Sequence, residues 1–186
     1  MNGHERQKEQ SRQMIEDALF ALMEEKEYRQ ISVSEITERA GVARRTFYRL
    51  YQSKEDVIDA YFDRLCMEYQ IGCSPIRGYD IGQIAMEYFS FWYQYKDFLL
   101  LLHRSGLDSM LFLGINRASE QVIRSRIGEH PMQQIPELIY FITYSTGGFM
   151  NLLFDWIKSG MEMRPETYAE VTSDAIKKVL QAQKLV

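Results

Sequence analysis

Met14, Ile15, Ala18, Leu19 and Leu22 recur three and four residues apart, the spacing that lines one face of an α-helix, and predict a first helix from about Lys8 to Lys26. A polar break, Glu27-Tyr-Arg-Gln30, follows. Ser32-Val-Ser-Glu35 then has the form of a capping box, in which a hydroxyl takes an orphan N–H and the glutamate reaches back. Val33, Ile36 and Ala40 supply the apolar side of that short helix, and Gly41 is placed to stop it in the left-handed conformation a helix end requires. A second short helix carries Phe47, Leu50 and Tyr51 on one side. Ser53-Lys-Glu-Asp56 is another N-cap pattern, opening a helix to about Tyr69.

The loop Ile71-Gly-Cys-Ser-Pro-Ile-Arg-Gly78 marks a domain boundary. Beyond it the pattern predicts helices over about 80–95, 97–104, 108–127, 136–159 and 165–184, separated by Ser105-Gly106, Gly128-Glu-His-Pro131 and Ser159-Gly160. Pro136 and Pro165 fall where a first-turn proline is tolerated. No stretch alternates as a strand does. The expected architecture is all-α, with a small domain over 8–70 (its helix pair at about 32–51) and a larger helical domain over 74–186.

Composition narrows this picture only modestly. With 46% hydrophobic and 26% charged residues among 186, the chain reads as an ordinary globular protein. Its first residues, MNGHERQKEQSRQ, are polar and resemble no signal peptide, which points to the cytoplasm. The longest uncharged run, Leu138 to Phe154, is too short and too polar for a membrane span, so no membrane partner is expected. Cys66 and Cys73 form no disulfide framework or zinc pattern, and His4, His103 and His130 are scattered, so neither metal nor cofactor is expected.

Charge distribution is more informative than its total of −4. Residues 39–54, RAGVARRTFYRLYQSK, hold five basic residues and no carboxylate, while acids crowd Glu24–Glu27 and Glu55–Asp63. Two short helices joined by a tight glycine turn form a helix-turn-helix, whose second helix enters the major groove of DNA. Phe47 and Tyr51, four apart, anchor that helix inward and leave Arg44, Arg45, Tyr48 and Arg49 facing out. Arginine suits guanine edges because its fork makes two parallel hydrogen bonds to N7 and O6. Thr46 and Tyr48 offer hydroxyls to phosphate oxygens, and Lys54 adds a cation at the start of the next helix. With Ser32, these residues make up the expected DNA-binding set.

The stretch from Ile31 to Ile58, with Ala40-Gly41-Val42, Thr46-Phe47-Tyr48 and Ser53-Lys54-Glu55-Asp56 in order, resembles the N-terminal domain of TetR/AcrR transcriptional regulators. The resemblance implies a bacterial or archaeal repressor that binds a palindromic operator as a homodimer and responds to a small-molecule effector through its helical C-terminal domain. Two positions depart from the family pattern: Ala43 stands where Ser or Thr commonly caps the recognition helix, and Leu50 where Tyr or His is frequent.

In the larger domain, residues 88–103, YFSFWYQYKDFLLLLH, hold more aromatics than one helix face can bury. They read either as core or as the lining of an apolar cavity for the effector, with Tyr88, Phe91, Trp92, Tyr95, His103, Met110, Phe141 and Met150 as candidate walls. Tyr144-Ser-Thr-Gly-Gly148 places two glycines inside a helix. It reads either as a local kink or as a close-approach dimer interface using Tyr144, Gly147, Gly148 and Asn151. No phosphate loop, HExxH, GxSxG or nucleophile–histidine pairing is present, so no enzyme is expected. The alternative is a helical small-molecule-binding or coactivator protein that has lost DNA binding.

Overall fold

The computed structural model describes residues 3–72, 80–127 and 138–182, with the backbone alone described for 120–127, 138–139, 141–142, 180 and 182. The described residues are helical throughout, without a strand: α1 (Gly3–Glu25), a 3₁₀ turn (Tyr28–Gln30), α2 (Val33–Ala40), α3 (Arg44–Leu50), α4 (Lys54–Gly72), α5 (Ile81–Tyr93), α6 (Lys96–Arg104), α7 (Asp108–Ile127), α8 (Leu138–Lys158) and α9 (Pro165–Ala182).

Two boundaries differ from the sequence pattern. Helix α1 begins at Gly3 instead of Lys8, because the exposed residues before Ser11 include the strong helix formers Glu, Arg, Gln and Lys and need no apolar partner to continue the helix. The supposed polar break is a 3₁₀ turn around a buried Tyr28, whose ring provides the contact that orders it.

The helices fall into two compact units, residues 1–65 with 101–114, and residues 66–100 with 115–186. In the first unit Ile15 and Leu19 of α1, Ile36 of α2, Phe47 of α3 and Val57, Ile58 and Phe62 of α4 are fully buried. Leu102 and Leu111 close the same core from α6 and α7. Gly114 of α7 meets the Phe62 ring so closely that a Cβ would lie 2.5 Å from its Cγ.

The second unit is built on aromatic packing. Trp156 of α8 is stacked between Tyr93 of α5 (centroids 5.5 Å, 16°) and Tyr168 of α9 (4.7 Å, 9°). Phe89 meets both Trp156 and Tyr168 edge-on. Asp80 caps α5, accepting from the Gly82 amide at 2.8 Å. After α8, Gly160 and Met161 both take positive φ, and Lys96 Nζ donates to the Met161 carbonyl at 2.9 Å. None of the described helices is long and apolar enough to cross a membrane.

Candidate nucleic-acid interface

Helix α2 is locked at both ends. At its start the Ser32 hydroxyl accepts from the Glu35 amide (3.3 Å), while Glu35 Oε2 accepts from the Ser32 amide (2.9 Å) and hydroxyl (2.8 Å). Lys26, the residue after α1, donates to the other carboxylate oxygen. These contacts, Lys26 foremost, lower the Glu35 pKa to about 2. At the far end Gly41 sits at φ 64°, with its amide on Glu38 O and the Val42 amide on Thr37 O, both at 3.1 Å. A side chain at this left-handed position would be strained, which accounts for the glycine.

The chain then enters α3 through Ala43, extended at φ −68°, ψ 144° and making no side-chain cap. Packing holds this seven-residue helix in place of a cap. Phe47 is fully buried, and Tyr51, one residue past the helix end on extended backbone, is buried beside it with ring centroids 5.8 Å apart. Burial, and then the nearby Glu16 carboxylate, push the Tyr51 hydroxyl up to about 12. Glu16 is itself fully buried and gripped on both oxygens by Arg64 of α4, at 2.9 and 2.6 Å. A charge buried like this persists only when paired in such geometry.

What remains outside is Arg44, Arg45, Tyr48 and Arg49, all exposed, with Thr46 half-buried. The Arg44 guanidinium lies 5.9 Å from the Tyr48 ring centroid. Among the described residues none of these three arginines pairs with a carboxylate, whereas Arg39 is engaged by Glu25 at 2.6 Å. Lys54 also points elsewhere: its ammonium donates to the carbonyls of Tyr28 (2.6 Å) and Ile31 (2.9 Å). The five cations of the segment thus reduce to three uncommitted arginines on one short helix.

The same stretch is recognised by comparison. Residues 15–61 match the family model of bacterial regulatory proteins of the tetR family, and residues 80–178 match the model of a transcriptional regulator C-terminal region. The chain belongs to the TetR family. It is therefore a DNA-binding transcriptional regulator, and α2, Gly41 and α3 are its helix-turn-helix. Among solved structures, the dihydroxyacetone kinase operon activator DhaS superposes with a TM-score of 0.58 at 18% identity, over 93% of this chain and 95% of that one. The TetR family repressor AlkX from Dietzia sp., implicated in biodegradation of n-alkanes, gives 0.49 at 18% identity, covering 92% and 95%. The fatty acid degradation regulator FadR from Bacillus halodurans gives 0.49 at 15%, covering 88% and 93%. The likeness to DhaS, at 18% identity, speaks for a shared fold alone. No curated protein matches the sequence.

In the second unit of this TetR-family chain, the residues expected to wall a cavity are only partly brought together. Tyr88, Trp92 and Met150 are buried there, with Phe91 half-buried between Tyr69 and Trp92. Tyr95 is half-buried and donates to Glu68. His103 and Met110 belong to the first unit, where His103 Nδ1 lies 2.6 Å from Asp108 Oδ1 across the α6–α7 turn. The Phe141 side chain and Cys73 lie outside the described residues. Ser119 of α7, which the sequence pattern did not single out, is buried near Tyr88. Burial raises the Tyr88 hydroxyl well above the ordinary tyrosine value, and Ser119 and Trp92 are near enough to oppose that rise. Yet Tyr88 Oη, Trp92 Nε1 and Ser119 Oγ reach no hydrogen bond of ordinary geometry. Among the described residues no group of three or more His, Cys, Asp or Glu could hold a metal.

Helix α8 runs unbroken through Gly147-Gly148, so the pair makes no break. Asn151 Nδ2 donates back to the Gly147 carbonyl at 2.9 Å. Tyr140, Tyr144, Gly148 and Asn151 are exposed along it, and a Cβ at either glycine would meet nothing within 4 Å.

Proposed function

We propose that this chain is a ligand-responsive repressor that acts in the cytoplasm and binds a palindromic operator as a homodimer. The observation that carries the reading is the outward, uncommitted set of Arg44, Arg45, Tyr48 and Arg49 on a helix fixed from behind by Phe47 and Tyr51. Arg44 and Arg45 read base edges, Thr46, Tyr48 and Ser32 meet phosphates, and Arg49 serves either role. Two copies place their α3 helices in successive major grooves, about 34–36 Å apart. Exposed Tyr144, Gly148 and Asn151 and half-buried Gly147 on α8, with Val171 and Val179 exposed on α9, support a two-helix contact between copies.

The effector reading is supported by Tyr88, Trp92 and Ser119. Three buried polar groups that reach no hydrogen bond of ordinary geometry, in an aromatic surround, suit a small molecule that presents a hydrogen-bond acceptor. The decisive experiment selects duplexes from random-sequence DNA with the purified protein, then repeats the binding with Arg44→Ala and Arg45→Ala. The wild type is expected to enrich a palindrome and bind it with strong salt dependence. Each arginine variant is expected to lose roughly 1–3 kcal/mol on the enriched site and to relax the preference at particular base pairs. No enrichment, or variants with unaltered preference, would refute the reading.

A further inference from the structure

Among the described residues, Glu16 is the one charged residue that is fully buried, and it takes no part in the set that faces DNA. An apolar residue at its place on α1 would carry no such desolvation cost. Both of its oxygens accept from Arg64 of α4, Oε1 from Nη1 at 2.9 Å and Oε2 from Nη2 at 2.6 Å. The guanidinium fork thus meets the carboxylate in a single orientation. The Arg64 guanidinium also lies 4.7 Å from the centroid of the Tyr61 ring, and that ring meets Phe20 of α1 edge-on at 5.1 Å. Glu16 and Phe20 of α1 therefore pair with Arg64 and Tyr61 of α4, about one turn apart on each helix, as two antiparallel rungs.

These rungs stand behind the recognition helix. Tyr51, the residue that closes α3, is buried, and the charges of Glu16 and Arg64 both reach its hydroxyl. Helix α3 packs against α1 and α2. It has seven residues, no side-chain cap and Phe47 as its buried residue, so its orientation is inherited from the helices beneath it. Apolar side chains would hold α1 to α4 as firmly but tolerate sliding and rotation, whereas a fork on a carboxylate fixes the register. We propose that Glu16 and Arg64 are positioning residues for DNA binding: their pair sets the register of α1 on α4, and with it the angle at which α3 presents Arg44, Arg45 and Arg49. The proposal rests on the reading of α3 as the helix that contacts DNA.

The test separates register from stability. The double variant Glu16→Met/Arg64→Met replaces the pair by two apolar side chains, an exchange that is often neutral or favourable for folding. Its thermal midpoint by circular dichroism is expected to equal or exceed that of the wild type. Its affinity for the duplex enriched by the wild type is expected to fall about tenfold, the scale on which a residue remote from the ligand acts. Base preference should relax together at the positions read by Arg44 and Arg45, while the slope of log affinity against log salt stays that of the wild type. Arg64→Lys keeps the charge but not the fork, and should weaken binding in the same direction by less. A stable double variant with wild-type affinity and preference overturns the proposal, because the pair would then serve folding alone. Affinity lost in step with the thermal midpoint overturns it too. So does a slope shallower by about 0.9, since Arg64 would then itself meet a phosphate. If the double variant does not fold, Arg64→Lys decides: undiminished affinity in that variant rejects the fork as the source of the register. A wild type that enriches no duplex defeats the reading of α3 and the proposal with it, a failure distinct from the others.

Discussion

Glu35 joins three groups at the start of α2: the Lys26 ammonium and the amide and hydroxyl of Ser32. Its pKa is depressed from the ordinary value of 4.5 to about 2, so the sign of its contribution follows. Stability supplied by a carboxyl with a lowered folded value is fully present above the unfolded value and is lost as the pH falls through the folded one. Thermal midpoints followed by circular dichroism should therefore fall between about pH 4.5 and pH 2 in the wild type, and Glu35→Gln should flatten that part of the profile. An identical acid limb in the variant would show that these contacts do not hold the helix start. The Ser-x-x-Glu spacing made the cap legible in the sequence, because both partners lie within one turn. Lys26 was not legible, since it lies just past the end of α1, nine residues away. For Lys54, residue type announced a cation at a helix start, but whether carbonyls or phosphates receive it depends on backbone placement that no local pattern encodes.

At the scale of elements, α4 and α7 approach each other closely in the first unit. A Cβ at Gly114 would lie 2.5, 2.6 and 2.7 Å from Cγ, Cδ1 and Cδ2 of the fully buried Phe62 ring. Alanine is the better helix former, but the ring it would meet is fully buried, and close-packed interiors yield little to an added methyl. Gly114→Ala is expected to destabilise the protein by roughly 1–3 kcal/mol in urea unfolding, and Phe62→Leu in the same chain should restore part of the loss. A neutral Gly114→Ala would mean that the two helices separate at little cost. The periodic apolar positions disclosed nearly every helix, and Gly41, Gly106 and Gly160 marked three of the ends with positive φ. Gly114 carried no such mark, because its reason is a neighbour on another helix. Likewise, nothing in the pattern of residues 101–114 announced that they pack with residues 1–65.

For the whole molecule, assembly is the property on which operator geometry depends. Gly148 of α8 is exposed, with open space where a Cβ would stand, so Gly148→Arg should leave the fold of a single chain intact. Sedimentation velocity is expected to show the wild type as a dimer and the variant as a species near 22.0 kDa, with operator affinity falling in parallel. A variant that remains dimeric would move the interface away from this face. The division into two units has one more consequence. Both tryptophans, Trp92 and Trp156, belong to the second unit, and both are buried among aromatic rings. Tryptophan emission, excited at wavelengths where tyrosine does not absorb, is therefore a label-free reporter on that unit alone, sensitive to a guest beside Trp92 and blind to events confined to α2 and α3.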